Sequence, residues 1–125
     1  MASLNHTVLV VDDDASIRFL CRVNLELDGW SVREAATLDE ARAELAAGDV
    51  DIVLLDIHVG AESGVAFLAE IREDYGVPVA MLTGSVGSPT LDHVETDAVI
   101  PKPFTLEQLT DTLRSLTPRA AQRAG

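Results

Sequence analysis

The sequence predicts an α/β fold in which a doubly wound, five-stranded parallel sheet carries helices on both faces. Short apolar runs, typical of strands that are buried on both sides, alternate with amphipathic segments along the chain. Polar residues stand where the apolar runs end. Because parallel strands joined by helices bring their carboxyl ends to one edge of the sheet, this order predicts a functional site at that edge.

The strand-like segments are short and stop at polar or turn-forming residues. They cover residues 7–11, 30–35, 51–56, 79–82 and 98–100. Four helices follow from apolar residues at helical spacing. Their apolar positions are Ile17, Leu20, Cys21 and Leu25; Leu38, Ala41 and Leu45; Phe67, Leu68 and Ile71; and Leu106, Leu109, Leu113 and Leu116. Gly84, Gly87 and Pro89 oppose a long helix between the last two strands, so a fourth helix in chain order, near 89–95, should be short or irregular.

Length, charge and cysteine content exclude several classes of protein. The 125 residues suit one domain, and no apolar run approaches the ~20 residues of a membrane span. We expect a soluble, cytoplasmic protein with no signal peptide and no membrane insertion. A net charge of −12 opposes direct binding to nucleic acid. The single cysteine, Cys21, excludes an internal disulfide and is expected to be a buried thiol.

The polar residues at the strand ends are the candidate site. Three aspartates, Asp12 to Asp14, follow the first strand, Asp56 ends the third, Thr83 follows the fourth and Lys102 follows the fifth. Clustered carboxylates repel one another unless a cation neutralises them, and oxygen ligands favour Mg²⁺ over zinc. A hydroxyl and an ammonium at the same edge could hold a phosphoryl group. Taken singly, each residue also fits a structural role, and for Asp14 we favour the role of helix N-cap.

Four motifs, in order, resemble the receiver domain of two-component response regulators. They are Val10 to Asp14, Val53 to Asp56 with Gly64 eight residues on, Leu82 to Gly84, and Pro101 to Phe104. The resemblance extends from residue 7 to about residue 116. It implies a CheY-like receiver with a flavodoxin-like sheet of strand order 2-1-3-4-5. We expect a stand-alone receiver, and a fragment of a longer regulator stays open as the alternative.

The resemblance also implies the ligands of a Mg²⁺ ion. Asp13 and Asp56 would bind the cation directly, and Asp12 would act mainly through water. The backbone carbonyl of His58 would complete the protein ligands. We interpret the His58 side chain as lying over the mouth of the site, where it would tune attack by water on an acyl phosphate.

The same resemblance implies a role for Asp56 as the phosphoacceptor. A histidine kinase or a histidine phosphotransfer protein would supply the phosphoryl group, forming an aspartyl phosphate. Thr83 would then hydrogen-bond to that group and Lys102 would pair with it, with a cis peptide bond between Lys102 and Pro103. The modified form would switch contacts with a target protein that the sequence does not identify, and a homodimer stays open.

Three features of the sequence depart from the pattern of the family. Val99 stands where many receivers have a Tyr or Phe whose rotation reports phosphorylation. The stretch from Thr83 to Lys102 is short for the family, and Val59-Gly60 replaces a common Met-Pro. None of these changes removes a residue that phosphorylation requires, so the sequence predicts a competent receiver whose switch differs from the common one.

Two other functions are alternatives to phosphoacceptance. A receiver fold could act as an interaction or dimerisation module without phosphorylation, but the complete set of site residues argues against this. A Mg²⁺-dependent phosphatase usually has a second aspartate two residues after its nucleophile, where this chain has His58, so we expect no enzyme activity. The predicted organisation is an N-terminal extension over residues 1–6, a receiver over 7–116 and a frayed tail over 117–125.

Overall fold

The computed structural model describes residues 6–83 and 97–124, and of residues 117–124 the backbone alone. Within each of these two ranges the strands and helices alternate, apart from one hairpin. In chain order they are β1 Thr7–Val11, α1 Ala15–Leu27, β2 Ser31–Ala35, α2 Leu38–Ala47, β3 Ile52–Asp56, β4 His58–Val59, β5 Glu62–Ser63, α3 Gly64–Asp74, β6 Val79–Thr83, β7 Ala98–Pro101 and α4 Leu106–Ala124.

The main sheet has five parallel strands in the order β2-β1-β3-β6-β7. Strands β4 and β5 form a separate antiparallel pair, so this is the predicted order 2-1-3-4-5 for the five strands of the sheet. The predicted strands agree with the observed ones to within one residue at each end. The predicted fold class is therefore confirmed. The irregular fourth helix falls outside the described residues.

The core is divided between the two faces of the sheet. Alternate residues of β1 and β3 point to opposite sides, which is why both strands are apolar throughout. On one face, Leu9 and Val53 belong to a buried cluster with residues of α2 and α3. On the other, Val10 and Leu54 pack with residues of α1 and α4. No helix within the described ranges has the length and apolar character needed to cross a membrane.

Strand β2 lies at an outer edge of the sheet and carries two charged residues on opposite faces. Arg33 donates hydrogen bonds from Nη1 to the carbonyl oxygens of Gly48 at 2.7 Å and Glu44 at 3.3 Å, at the end of α2. Glu34 accepts from α1 on the other face. Both charged side chains are thus tied to the helices that flank the edge strand.

Two local expectations from the sequence need correction. The segment after Asp56, predicted as a loop, contains the β4–β5 hairpin, whose turn is possible because Gly60 has a φ of 64°. The last helix does not stop near Leu116 in a frayed tail but continues to Ala124. Residues 119–124 are arginine, alanine and glutamine, which are strong helix formers, and this explains the extension.

The buried thiol predicted at position 21 is confirmed. Cys21 is fully buried among the residues that join α1 and α4 to the sheet. Burial, followed by the charge of Asp12, raises the pKa of the Cys21 thiol to about 12, and Lys102 opposes this shift only in part. Because the thiolate is the reactive form, the folded protein should present an inert cysteine.

We predict that Cys21 of the native protein reacts with a disulfide reagent at pH 8 only as fast as the protein opens. With a thiol pKa of about 12, about 10⁻⁴ of the thiol is ionised at that pH. Absorbance of the released thiolate gives the rate, and the same protein in denaturant is the control that should react at once. Prompt stoichiometric labelling of the native protein would contradict the buried position.

Candidate functional site

Three carboxylates meet at the carboxyl ends of β1 and β3. These strands are parallel neighbours with Val11 opposite Leu55, so the residues that come next, Asp12 and Asp56, lie side by side. One carboxylate oxygen each from Asp12, Asp13 and Asp56 lie within 4.8 Å of one another. Asp12 is fully buried, Asp56 is partly buried and Asp13 is exposed. An oxygen-only set that opens to solvent through Asp13 fits a hard cation that keeps part of its water, such as Mg²⁺.

Lys102 balances the carboxylates from the far side of the site. Its Nζ lies 3.1 Å from Oδ2 of Asp12 and 3.5 Å from Oδ1 of Asp56. The main chain holds it there, because the N–H of Lys102 donates to the carbonyl of Thr83 at 2.7 Å, just beyond the β6–β7 ladder. The Lys102–Pro103 peptide bond is cis, as the resemblance to receiver domains implies.

The electrostatic environment opposes ionisation of Asp56 and favours the charged form of Lys102. Burial, and then the neighbouring Asp12, raise the pKa of the Asp56 carboxyl, while Lys102 and the backbone N–H of His58 pull it down. Burial alone would lower the pKa of Lys102. The hydrogen bond to Asp12 and the charges of Asp12 and Asp56 outweigh burial and raise that pKa. An additional cation at this site would therefore stabilise the ionised form of Asp56.

Thr83 and His58 flank Asp56 on the neighbouring strand and in the following hairpin. Asp56 is the register partner of Leu82, so Thr83 comes one residue beyond it at the end of β6, where it is buried. The N–H of Ile57 donates to the carbonyl of Leu82 at 3.1 Å and carries the pairing past Asp56. His58 follows in β4 with an exposed side chain. The role predicted for its carbonyl, as a metal ligand, stays a prediction.

Asp14 has the structural role that its position favours. It is the N-cap of α1, and its Oδ1 accepts a hydrogen bond from the N–H of Ser16 at 2.9 Å. The N–H of Asp14 itself donates to Oδ1 of Asp12 at 2.9 Å. Of the three consecutive aspartates, two therefore belong to the carboxylate cluster and the third begins the helix.

Two residues that support the site were not recognised as such from the sequence. Nη1 of Arg18 donates to the carbonyl of Asp12 at 2.7 Å. Gly64 is part of the family motif, but the sequence does not show why a glycine is needed there. It lies against the main chain of Asp56, and a Cβ added to it would be 2.0 Å from the carbonyl oxygen of Asp56. A basic residue one turn into a helix looks like any surface charge, so the sequence offered no signal for Arg18.

Comparison with known proteins finds a family that matches most of this chain. A sequence model of the response regulator receiver domain matches residues 8–114. The transcriptional regulatory protein ResD of Bacillus subtilis is 34% identical over 128 residues, which cover 98% of this chain and 52% of that protein. The KDP operon transcriptional regulatory protein KdpE of Escherichia coli is 34% identical over 112 residues, covering 86% of this chain and 49% of that protein. The chain thus spans about half the length of these relatives.

Solved structures have the same fold. The chemotaxis response regulator CheY4 of Vibrio cholerae superposes with a TM-score of 0.82 at 28% identity, covering 90% of this chain and 98% of that chain. NtrX of Brucella abortus, in a complex with ADP, superposes with a TM-score of 0.88 at 27% identity, covering 96% of this chain and 29% of that chain.

We predict that Gly64→Ala destabilises the protein by about 3 kcal/mol or more, because the backbone carbonyl of Asp56 cannot move aside as a side chain would. Urea unfolding measures the change in free energy of unfolding. Gly60→Ala is the matched control: its φ is 64°, but nothing lies within 4 Å of the added methyl. That substitution should cost about 1 kcal/mol. A smaller loss for Gly64→Ala than for Gly60→Ala would contradict the close approach.

Proposed function

This chain belongs to the response regulator receiver domain family, and we propose that it accepts a phosphoryl group on Asp56 from a histidine kinase or a histidine phosphotransfer protein. The observation that carries the proposal is the position of Lys102, whose ammonium stands between the carboxylates of Asp12 and Asp56. A carboxylate attacks a negatively charged phosphoryl group only if their repulsion is offset, and Lys102 together with a bound cation would offset it.

The proposed transfer uses the donor, the acidic site and the Mg²⁺ ion that the site would hold. A carboxylate oxygen of Asp56 attacks the phosphorus atom as the bond from phosphorus to the donor's histidine nitrogen breaks. The bonding electron pair stays on that nitrogen, and the imidazole leaves in its neutral form because its other ring nitrogen carries a proton. The product is an aspartyl phosphate, and Lys102 pairs with the negative charge that the site gains.

The three carboxylates are the proposed ligands of a Mg²⁺ ion. Asp13 and Asp56 would hold it directly, Asp12 would act mainly through water, and the carbonyl of His58 would complete the set. Their oxygen atoms are close enough to share one cation. When bound, the cation offsets charge on the phosphoryl oxygens and keeps Asp56 ionised against the effect of burial.

Thr83 and Lys102 are the residues proposed to pass the signal on. The Thr83 hydroxyl would donate to a phosphoryl oxygen, and its carbonyl accepts from the N–H of Lys102, so movement at one residue is coupled to the other. Val99 lies on β7 and is 44% exposed. Because valine has no aromatic ring, it cannot report phosphorylation by rotation of a ring. We therefore assign the switch to the paired ends of β6 and β7 rather than to rotation of a ring.

The proposed output is a change in protein contacts, not turnover of a small substrate. The relatives ResD and KdpE are transcriptional regulators by name, and about half of each corresponds to this chain. A net charge of −12 makes direct contact with DNA phosphates unfavourable for this part. Enzyme activity as a phosphatase is not proposed, because His58 stands where such enzymes usually carry an acid/base aspartate.

We predict that a small acyl-phosphate donor with Mg²⁺ adds one phosphoryl group to the protein and none to Asp56→Asn. Intact mass spectrometry detects the adduct. Asp39→Asn is the matched control, since that carboxylate is 92% exposed and should leave the adduct unchanged. An adduct that persists in Asp56→Asn would show another acceptor. If neither an adduct nor binding of beryllofluoride occurs, the alternative of an interaction module without phosphorylation replaces the proposal.

We predict that His58→Ala speeds hydrolysis of the aspartyl phosphate severalfold, because the exposed imidazole lies in the hairpin directly after Asp56 and restricts the approach of water. The rate of adduct loss, followed by mass after the donor is removed, is the measurement. His6→Ala is the control, since His6 lies near Trp30 and Asp51 at the opposite end of the sheet. Equal rates for wild type and His58→Ala would remove this role.

A further inference from the structure

Every polar atom of Asp12, in the main chain and in the side chain, has a hydrogen-bond partner. Its N–H donates to the carbonyl of Ala35 at 3.1 Å, and its two carboxylate oxygens accept from the N–H of Asp14 and from Nζ of Lys102. Its carbonyl lies beyond the paired residues of β1, and Nη1 of Arg18 donates to it at 2.7 Å. A hydrogen bond from a charged donor at this distance is among the stronger kinds.

Arg18 is itself fixed by a carboxylate on the edge strand. Its Nε donates to Oε1 of Glu34 at 3.1 Å, and Oε2 of Glu34 accepts from Nη1 of Arg22 at 2.9 Å. The Arg18 and Glu34 side chains are only 17% and 28% exposed, against 49% for Arg22. The guanidinium of Arg18 thus connects β2 to the end of β1 through N–H groups on two different nitrogens of one rigid plane, a geometry that lysine does not reproduce.

We propose that Arg18, anchored by Glu34, is a positioning residue that orients Asp12 and Asp13 toward the cation and the phosphoryl group. This inference rests on the proposed function of the site. The carbonyl that Arg18 binds belongs to the planar peptide unit between Asp12 and Asp13. Holding that plane sets the direction in which the exposed Asp13 side chain leaves the main chain. Because the Asp13 side chain is exposed, no packing contacts fix it, and its orientation depends on the main chain.

The alternative is that Arg18 is a stabilising ion pair with no effect on the site. The two roles differ in Mg²⁺ affinity, because groups that orient metal ligands typically contribute about 10-fold to 100-fold to that affinity. We would titrate the full chain with Mg²⁺ and follow backbone amide shifts by NMR. The Mg²⁺ concentration that gives half-maximal phosphorylation by an acyl-phosphate donor is the second readout, and thermal unfolding confirms that each variant is folded.

The variants separate positioning from general stability. Arg18→Met removes both donors, and Glu34→Gln leaves Arg18 in place but weakens its anchor. Arg42→Met is the matched control, because Arg42 also makes a two-point ion pair, with Glu70 at 2.8 and 3.1 Å, but between α2 and α3. If Arg18→Met does not fold, Glu34→Gln decides the question.

We expect Arg18→Met to weaken Mg²⁺ binding about 10-fold or more, Glu34→Gln to weaken it less, and Arg42→Met to leave it unchanged. The double variant should resemble Arg18→Met alone, because Glu34 acts through Arg18. Mg²⁺ affinities of Arg18→Met and Glu34→Gln within twofold of wild type would overturn the inference. A wild-type protein that binds Mg²⁺ but forms no adduct would instead overturn the proposed function. The Mg²⁺ affinities of the variants would still decide whether Arg18 is a positioning residue.

Discussion

The balance between Lys102 and the carboxylates of Asp12 and Asp56 is the interaction on which the site depends. Asp12 is fully buried, and removing the partner of a buried charge typically costs about 3–5 kcal/mol. Asp12 and Lys102 are ninety positions apart in sequence, so their contact forms only when β1, β3, β6 and β7 lie in the observed order. The topology of the sheet and the charge balance at its edge therefore require each other.

The sequence predicted those features that depend on residue type and order. Apolar strands buried on both faces, such as β1 and β3, have a pattern that few other structures share, and the polar residues after them identified the carboxylate cluster. The ends of helices and the shortest strands are harder to predict from the sequence. The β4–β5 hairpin has two residues in each strand, too few for an alternating pattern, and the end of α4 follows from helix propensity that the prediction did not weigh.

The main-chain contacts of the site could not be predicted for a different physical reason. A motif states which residue stands at a position but not which backbone atom it touches. Arg18 reaches the carbonyl of Asp12 and Gly64 lies against that of Asp56, and both contacts depend on how a helix is placed over the strand ends. Through these contacts, α1 and α3 touch the main chain on either side of the carboxylates.

The outer strand β2 has a consequence for the behaviour of the protein at high concentration. An edge strand offers open hydrogen-bonding groups to any extended segment of another molecule, and this is a common start of aggregation. Here Arg33 occupies one face of that edge and Glu34 the other, each held by a neighbouring helix. A strand that docks from a second molecule would meet opposite charges above and below its backbone, and burying them would be unfavourable. Glu34, which anchors Arg18, thus also protects the sheet, together with Arg33, from edge-to-edge growth.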